Sequence, residues 1–237
     1  MKKYLFHLFF ILCFFLTADA AENDRNAPSV NAGWREVFGS DSQFNIDWQP
    51  EGMHFLVPHT QFRVEDIASA SNGKALVIEA KCSAGARVIA PRKVDWKKTP
   101  VLRWRWRLVR PVVLQKGRQE PDDQPGVIYI GDGTLSSMRC VAYRWEKKRA
   151  IGECKRESYA AGRIDANLQC VANDSTPLNE WHIEEHHIVN DFIAAFGTPP
   201  KERFVLCVGA NSHHSKSDTR LEIDFIEFIP ERSAADE

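Results

Sequence analysis

Apart from one stretch near its start, this chain lacks a long apolar run, and it lacks any real excess of charge. Leu5 to Leu16 is apolar except for His7, roughly 12 residues against the ~20 that a membrane-spanning helix requires. Lysine and arginine number 31, aspartate and glutamate 32, for a net charge of −1. A nucleic-acid footprint needs a strong basic excess, so nucleic acid is not an expected partner. Also missing are a glycine-rich phosphate loop and any serine or cysteine in a recognisable nucleophile context, although a triad assembled in space leaves no local trace. No repeat and no internal linker interrupts the chain. Transmembrane, nucleic-acid-binding and nucleotide-binding readings all lose their sequence support.

The apolar stretch has the surroundings of a targeting signal. Lys2 and Lys3 precede it, and Ala18-Asp19-Ala20 supplies a small-x-small cleavage pattern. Residues 1–20 are therefore expected to be a secretory signal peptide, and the mature chain a periplasmic or extracellular protein without a transmembrane segment. Cys13 has no small residue before it, which argues against a lipoprotein. Residues 21–33 read as a flexible leader, 34–230 as one domain, and 231–237 as a flexible tail. Export permits disulfides. Outside the leader stand Cys82, Cys140, Cys154, Cys170 and Cys207. An odd set leaves at least one unpaired or paired between chains. Cys154 and Cys170 flank a polar stretch and are the pair expected to form a disulfide.

What the chain does have is alternation. From Val101 to Val109 apolar and cationic residues alternate without a break, the period of a strand with two unlike faces. Leu102, Trp104, Trp106 and Leu108 share one face, and Arg103, Arg105 and Arg107 the other. Further short strand-like runs follow, including Met53–Val57, Val127–Ile130, Cys140–Glu146, Trp181–Val189 and Arg220–Ile229. Turn residues such as Asn72-Gly73 and Thr198-Pro199-Pro200 separate them. Many short strands at this spacing predict an all-β fold: a two-sheet antiparallel β-sandwich of jelly-roll, galactose-binding or concanavalin-like type. One short helix is expected, with Asn190 capping Asp191–Phe196 and Gly197 as its stop.

The order of these segments resembles a bacterial exported family known as domain-of-unknown-function family 3047. The resemblance runs roughly from Met53 to Phe228. It is carried by Pro100–Trp106, by Asp122-Asp123 before Ile128-Tyr129-Ile130, and by Tyr143-Arg144-Trp145. Trp181 with Asp191-Phe192 and Phe196-Gly197, and the terminal Asp224-Phe225-Ile226, complete it. Val127 stands where family members tend to carry a basic residue, and Gly209–Ser212 where they carry an acidic loop. The resemblance implies a β-sandwich and export. A weaker likeness to jelly-roll carbohydrate-binding modules implies a glycan ligand.

Several constellations carry possible chemistry. The arginine ladder can hold carboxylates or sulfates through paired hydrogen bonds, or simply pair across strands with acidic neighbours. Arg144, Glu146, Glu222 and Asp224 are the plausible neighbours. Glu222, Asp224 and Glu227 resemble the E-x-D-x-(x)-E signature of retaining glycoside hydrolases, a chemistry that needs two carboxyls on one face. A β-bulge at Phe225-Ile226 would place Glu227 with the other two. His182, Glu184 and His186 alternate along a strand and form a candidate zinc set if they converge. The blander alternative is a half-exposed polar face. Asp122 and Asp123 are candidate ligands of a structural calcium ion, or a loop cap. No other cofactor is expected.

The reading that unites these features is an exported, non-catalytic binding protein that recognises an extracytoplasmic glycan or acidic polymer on a polar sheet face. Its ligand-binding set is Arg103, Arg105, Arg107, Arg144, Glu222, Asp224 and Asn211. The alternatives are a glycoside hydrolase or lyase that uses Glu222, Asp224 and Glu227, and an envelope module with a protein partner.

Overall fold

Two β-sheets face each other across an aromatic core in the computed structural model, which describes residues 29–30, 34–51, 57–114, 123–134 and 137–232. In chain order the elements are β1 (Ser29–Val30), β2 (Arg35–Val37), α1 (Asp41–Asp47), β3 (Trp48–Glu51), β4 (Gln61–Asp66), β5 (Lys74–Lys81), β6 (Ala84–Val94), β7 (Val101–Arg110), β8 (Gln124–Thr134), β9 (Ser137–Trp145), β10 (Cys154–Tyr159), β11 (Ile164–Ala172), β12 (His182–His187), α2 (Ile188–Phe196), β13 (Arg203–Asn211) and β14 (Asp218–Ile229). The larger sheet has eight strands in the order β1-β6-β13-β8-β9-β11-β10, with β3 also on β6. The smaller has six in the order β12-β7-β14-β5-β4, with β2 on β14. The expected β-sandwich is therefore present. Most pairings are antiparallel, while β1–β6 and β9–β11 run parallel.

Period two explains the core. Leu102, Trp104, Trp106 and Leu108 of β7 are buried, and they meet Ile128, Val141, Tyr143, Trp145 and Leu206 from the larger sheet. The Trp104 and Trp106 rings cross edge to face at 5.6 Å, and Trp106 lies 5.6 Å from Trp145. Such offset and edge-on geometries suit the charge distribution of aromatic rings. The outer side of the larger sheet is apolar too: Val88, Val127, Tyr129, Cys140, Ala142, Leu168 and Cys207 form a second buried cluster.

The bulge in β14 is real but earlier than the sequence indicated. Ile223 pairs with Trp106 and Phe225 with Arg105, so Asp224 is the extra residue. Ile226 then turns inward beside Trp104, while Phe225 stays on the outer face under the Arg35 guanidinium, 4.1 Å from its ring centroid. Glu222, Asp224 and Glu227 do share one face.

Two helices occur among the described residues where one was expected. In α1, Ser40 accepts the Gln43 N–H, and Phe44 packs on Trp48. The second, α2, begins at Ile188 because His187 Nδ1, not Asn190, caps it. It ends at Gly197, whose φ of 74° is left-handed, the conformation that favours glycine at a helix stop. The Cys154–Cys170 disulfide is not formed, and both are thiols. Cys154 pairs with Gln169 across β10 and β11, so period two sends Cys170 to the opposite face from Cys154. The expected strand at Met53–Val57, the signal peptide and Asp122 lie outside the described residues, save for Val57 itself. No helix among the described residues is long and apolar enough to cross a membrane.

Candidate functional site

The ladder of β7 meets a second ladder on β14. Arg103 Nε donates to Glu227 at 2.7 Å, Arg105 Nη1 to Asp224 at 2.6 Å, and Arg107 Nε to Glu222 at 2.5 Å. Antiparallel register sets Arg103 against Glu227 and Arg107 against Glu222, because directly opposed residues project to the same side, and the bulge delivers Asp224 to Arg105. The carboxylates lie deeper than the guanidiniums. Asp224 is fully buried, and Glu222 and Glu227 keep 2% and 6% of their exposure. The arginine stems cover them.

The lattice continues sideways into β4 and β5. Arg220 donates to Glu222 at 2.9 Å, to Glu65 at 2.7 Å and to Glu79 at 3.4 Å. Burial works against the Arg220 charge, but the Glu65 and Glu222 carboxylates outweigh it and raise its pKa. Arg63 binds Glu65 and Glu79. For both of these glutamates burial pulls upward, and their arginine partners prevail and hold them below the usual carboxylate range. Over Asp224 the β4–β5 connection closes as a lid: Ser71 N–H and Oγ–H donate to Oδ1 at 3.0 and 2.8 Å.

A second aromatic ring, besides Phe225, lies on this face. The guanidinium carbons of Arg105 and Arg107 sit 4.8 and 4.6 Å from the Trp181 ring centroid, a cation–π arrangement. The Trp181 indole N–H donates to Ser69 Oγ at 3.1 Å, which also accepts from Arg107 Nη1 at 3.1 Å. The ring is thereby fixed in place before any ligand arrives.

This geometry determines what the acidic trio can do. Each carboxylate is an acceptor from a guanidinium that cannot release its proton. None is placed to donate a proton, and Asp224 is sealed from any substrate. A retaining glycosidase needs one nucleophilic carboxylate and one protonated acid flanking an open position. In the trio each carboxylate is bound to a guanidinium instead.

Other expected site residues fall elsewhere. Arg144 and Asn211 belong to the larger sheet, on β9 and β13, and do not join the ladder. Arg144 Nη2 donates to Gln124 at 2.8 Å, with Glu146 at 3.3 Å, and the Asn211 side chain accepts the His213 N–H at 3.0 Å. His182, Glu184 and His186 pair with Trp106, Trp104 and Leu102. They consequently face the sandwich interior, not a polar outer side. His186 packs 4.3 Å from Tyr143, and Tyr143 donates to Asp191 at 2.6 Å. His182 Nε2 turns to the Pro177 carbonyl at 3.1 Å, away from the other two. No group of three potential ligands converges on a metal position among the described residues. Burial raises the Glu184 pKa against the pull of His186 and the Trp106 indole. Asp123 is a loop cap. It accepts the Ser215 N–H at 2.6 Å and lies 3.1 Å from His214 Nδ1.

Sequence reasoning missed Trp181, Ser69, Ser71 and the Arg63–Glu65–Glu79 wing. The wing had a signal: Arg63 and Glu65 alternate on β4, and Glu79 lies two residues from Lys81 on β5. The contact of Trp181 and the two serines with the ladder had none, because loops carry no period.

Residues 46–227 match the model of a family described as protein of unknown function (DUF3047). No curated protein matches the chain. Among solved structures, the enzymatically active domain of bacteriophage CBA120 tailspike protein 4 aligns over 82% of this chain and 21% of its own, at 9% identity and a TM-score of 0.40. This chain thus spans about a fifth of that protein. A carbohydrate esterase from Shiga toxin-encoding bacteriophage phi24B aligns over 83% and 97%, at 11% identity and a TM-score of 0.39. The family 11 carbohydrate-binding module of the Clostridium thermocellum cellulase Lic26A-Cel5E aligns over 85% and 97%, at 9% identity and 0.35.

Proposed function

Because the chain belongs to the DUF3047 family, whose description assigns no activity, we propose from the site alone that it is an exported, non-catalytic protein that binds an extracytoplasmic glycan on the polar face of its smaller sheet. The observation that carries this reading is the Trp181 ring. Its centroid lies 4.8 and 4.6 Å from the Arg105 and Arg107 guanidinium carbons, and its indole N–H is bound to Ser69. A rigid aromatic surface ringed by hydrogen-bonding groups suits the flat apolar face and polar rim of a sugar. Its fixation lowers the ordering cost of binding. The capped carboxylates favour recognition over hydrolysis.

The test is a glycan array with the full-length protein as secreted, followed by titration of the best ligand by tryptophan fluorescence. Trp181→Ala is expected to weaken binding about 10-fold, the equivalent of ~1.4 kcal/mol, in a protein that still unfolds in one cooperative transition. No glycan binding at all, or binding indifferent to Trp181, would remove the polar face from function.

A further inference from the structure

The guanidiniums of the ladder are not equally engaged, and the difference names a ligand class. Arg103 uses Nε and Nη2 on Glu227 and Nη1 on Glu185. Arg107 uses Nε on Glu222 and Nη1 on Ser69, which interrupts both of its paired edges. Arg105 alone makes a single side-chain hydrogen bond, from Nη1 to Asp224. Its Nε–Nη2 edge, the pair of parallel N–H groups that matches a carboxylate, takes no acceptor among the described residues. That side chain is 24% exposed, and its guanidinium carbon lies 4.8 Å from the Trp181 centroid.

We infer that Arg105 and Trp181 together form a subsite for a uronic acid residue of an acidic polysaccharide. The uronate carboxylate takes both hydrogen bonds of the Arg105 Nε–Nη2 edge, and the sugar ring packs beside the Trp181 indole that borders it. The inference rests on the glycan reading above and specifies it. Two features favour a carboxylated sugar over a generic polyanion. The surrounding arginines are neutralised by Glu227, Glu222, Glu65 and Glu79, so no long-range field gathers anions. Selectivity comes from one planar fork beside one aromatic platform, a geometry that pairs best with a planar carboxylate. Asp224, fully buried and anchored by Ser71, holds the guanidinium in its plane.

The experiment compares polygalacturonate and polymannuronate with the same polymers after chemical reduction of their carboxyls to alcohols. Each is titrated against the full-length secreted protein and against Arg105→Lys and Trp181→Ala. Lysine keeps a cation beside Asp224 but removes the fork. Native uronate polymer is expected to bind 10- to 150-fold more tightly than its reduced form, the range of a charge-assisted paired contact. Arg105→Lys should abolish that preference, while Trp181→Ala should weaken both polymers alike. Equal binding of native and reduced polymers, or a preference that survives Arg105→Lys, overturns the uronate inference and leaves the glycan reading standing. Binding of neither polymer overturns the inference as well, and the array then decides the broader reading alone. Melting temperatures of both variants confirm that folded protein is being titrated.

Discussion

Glu51→Gln is expected to make the protein more stable, and only above acidic pH. Glu51 ends β3, opposite Ala86, and points to the buried outer face of the larger sheet. It keeps 5% of its exposure, and its Oε1 has no hydrogen-bond partner among the described residues. Burial raises its pKa from 4.5 to about 7. Below pH 4.5 the carboxyl is protonated in folded and unfolded chains alike and contributes nothing pH-dependent. As pH rises from 4.5 towards 7, the unfolded chain loses this proton while the folded chain keeps it, so stability falls. Above 7 both are ionised and the loss levels off. At ~1.36 kcal/mol per pH unit the full loss is about 3 kcal/mol, most of it between pH 5 and pH 8. Glutamine cannot titrate and removes the whole dependence. Urea unfolding of wild type and Glu51→Gln at both pH values measures it, because other titrating groups cancel in the difference. The stability difference between the two proteins should grow by about 2–3 kcal/mol from pH 5 to pH 8. Parallel pH profiles would show that Glu51 ionises in the folded state as readily as in water, and would refute the reasoning.

Three further outcomes follow from the same contacts. Arg105→Ala should destabilise by about 3–5 kcal/mol, because it strands the buried Asp224 carboxylate, and Asp224→Asn in the same chain should restore part of that in a denaturation series. Tyr143→Phe should cost about 1.5–3 kcal/mol through loss of its bond to Asp191, with the expected sign seen as a lower urea midpoint at unchanged slope. Thiol titration of unfolded, unreduced protein should find Cys154 and Cys170 both reactive. In the folded protein Cys154 should react first, because burial pushes Cys170 up to about 11 and Cys140 up to about 12; protection of Cys154 and Cys170 against alkylation in the unfolded chain would restore the disulfide.

Where a strand's two faces differ in chemistry, the sequence alone was a sound guide. Trp104 and Trp106 inward, Arg105 and Arg107 outward, with Glu222 and Asp224 opposite, is a consequence of period two in two strands. It fails where an apolar residue sits on the polar side. Phe225 looks like core, yet it lies outside under Arg35, and this shifted the apparent bulge. It fails again where polar residues sit inside. His182, Glu184 and His186 resemble a solvent face, but pairing with Trp106 and Trp104 turns them inward, and no local signal fixes that choice. Gly131-Asp132-Gly133 reads as a turn. In the fold β8 continues through it, and a Cβ on Gly131 would lie 3.1 Å from the Arg139 carbonyl. Glycine there serves a close strand approach. The burial of Asp224 depends on Ser71, distant in sequence and placed by a loop.

The position of β14 also shapes how the chain must fold. It is the central strand of the smaller sheet, between β7 and β5, yet it follows every other strand in the chain. The Arg105–Asp224 pair closes across 119 residues. Until β14 arrives, β5 and β7 each present an unpaired edge. Contacts of such long range form late and slowly, and open edges in the interim invite pairing with other chains. During vectorial synthesis the smaller sheet is therefore closed last, and its two halves, β5 with β4 and β7 with β12, are joined only when the final strand has emerged.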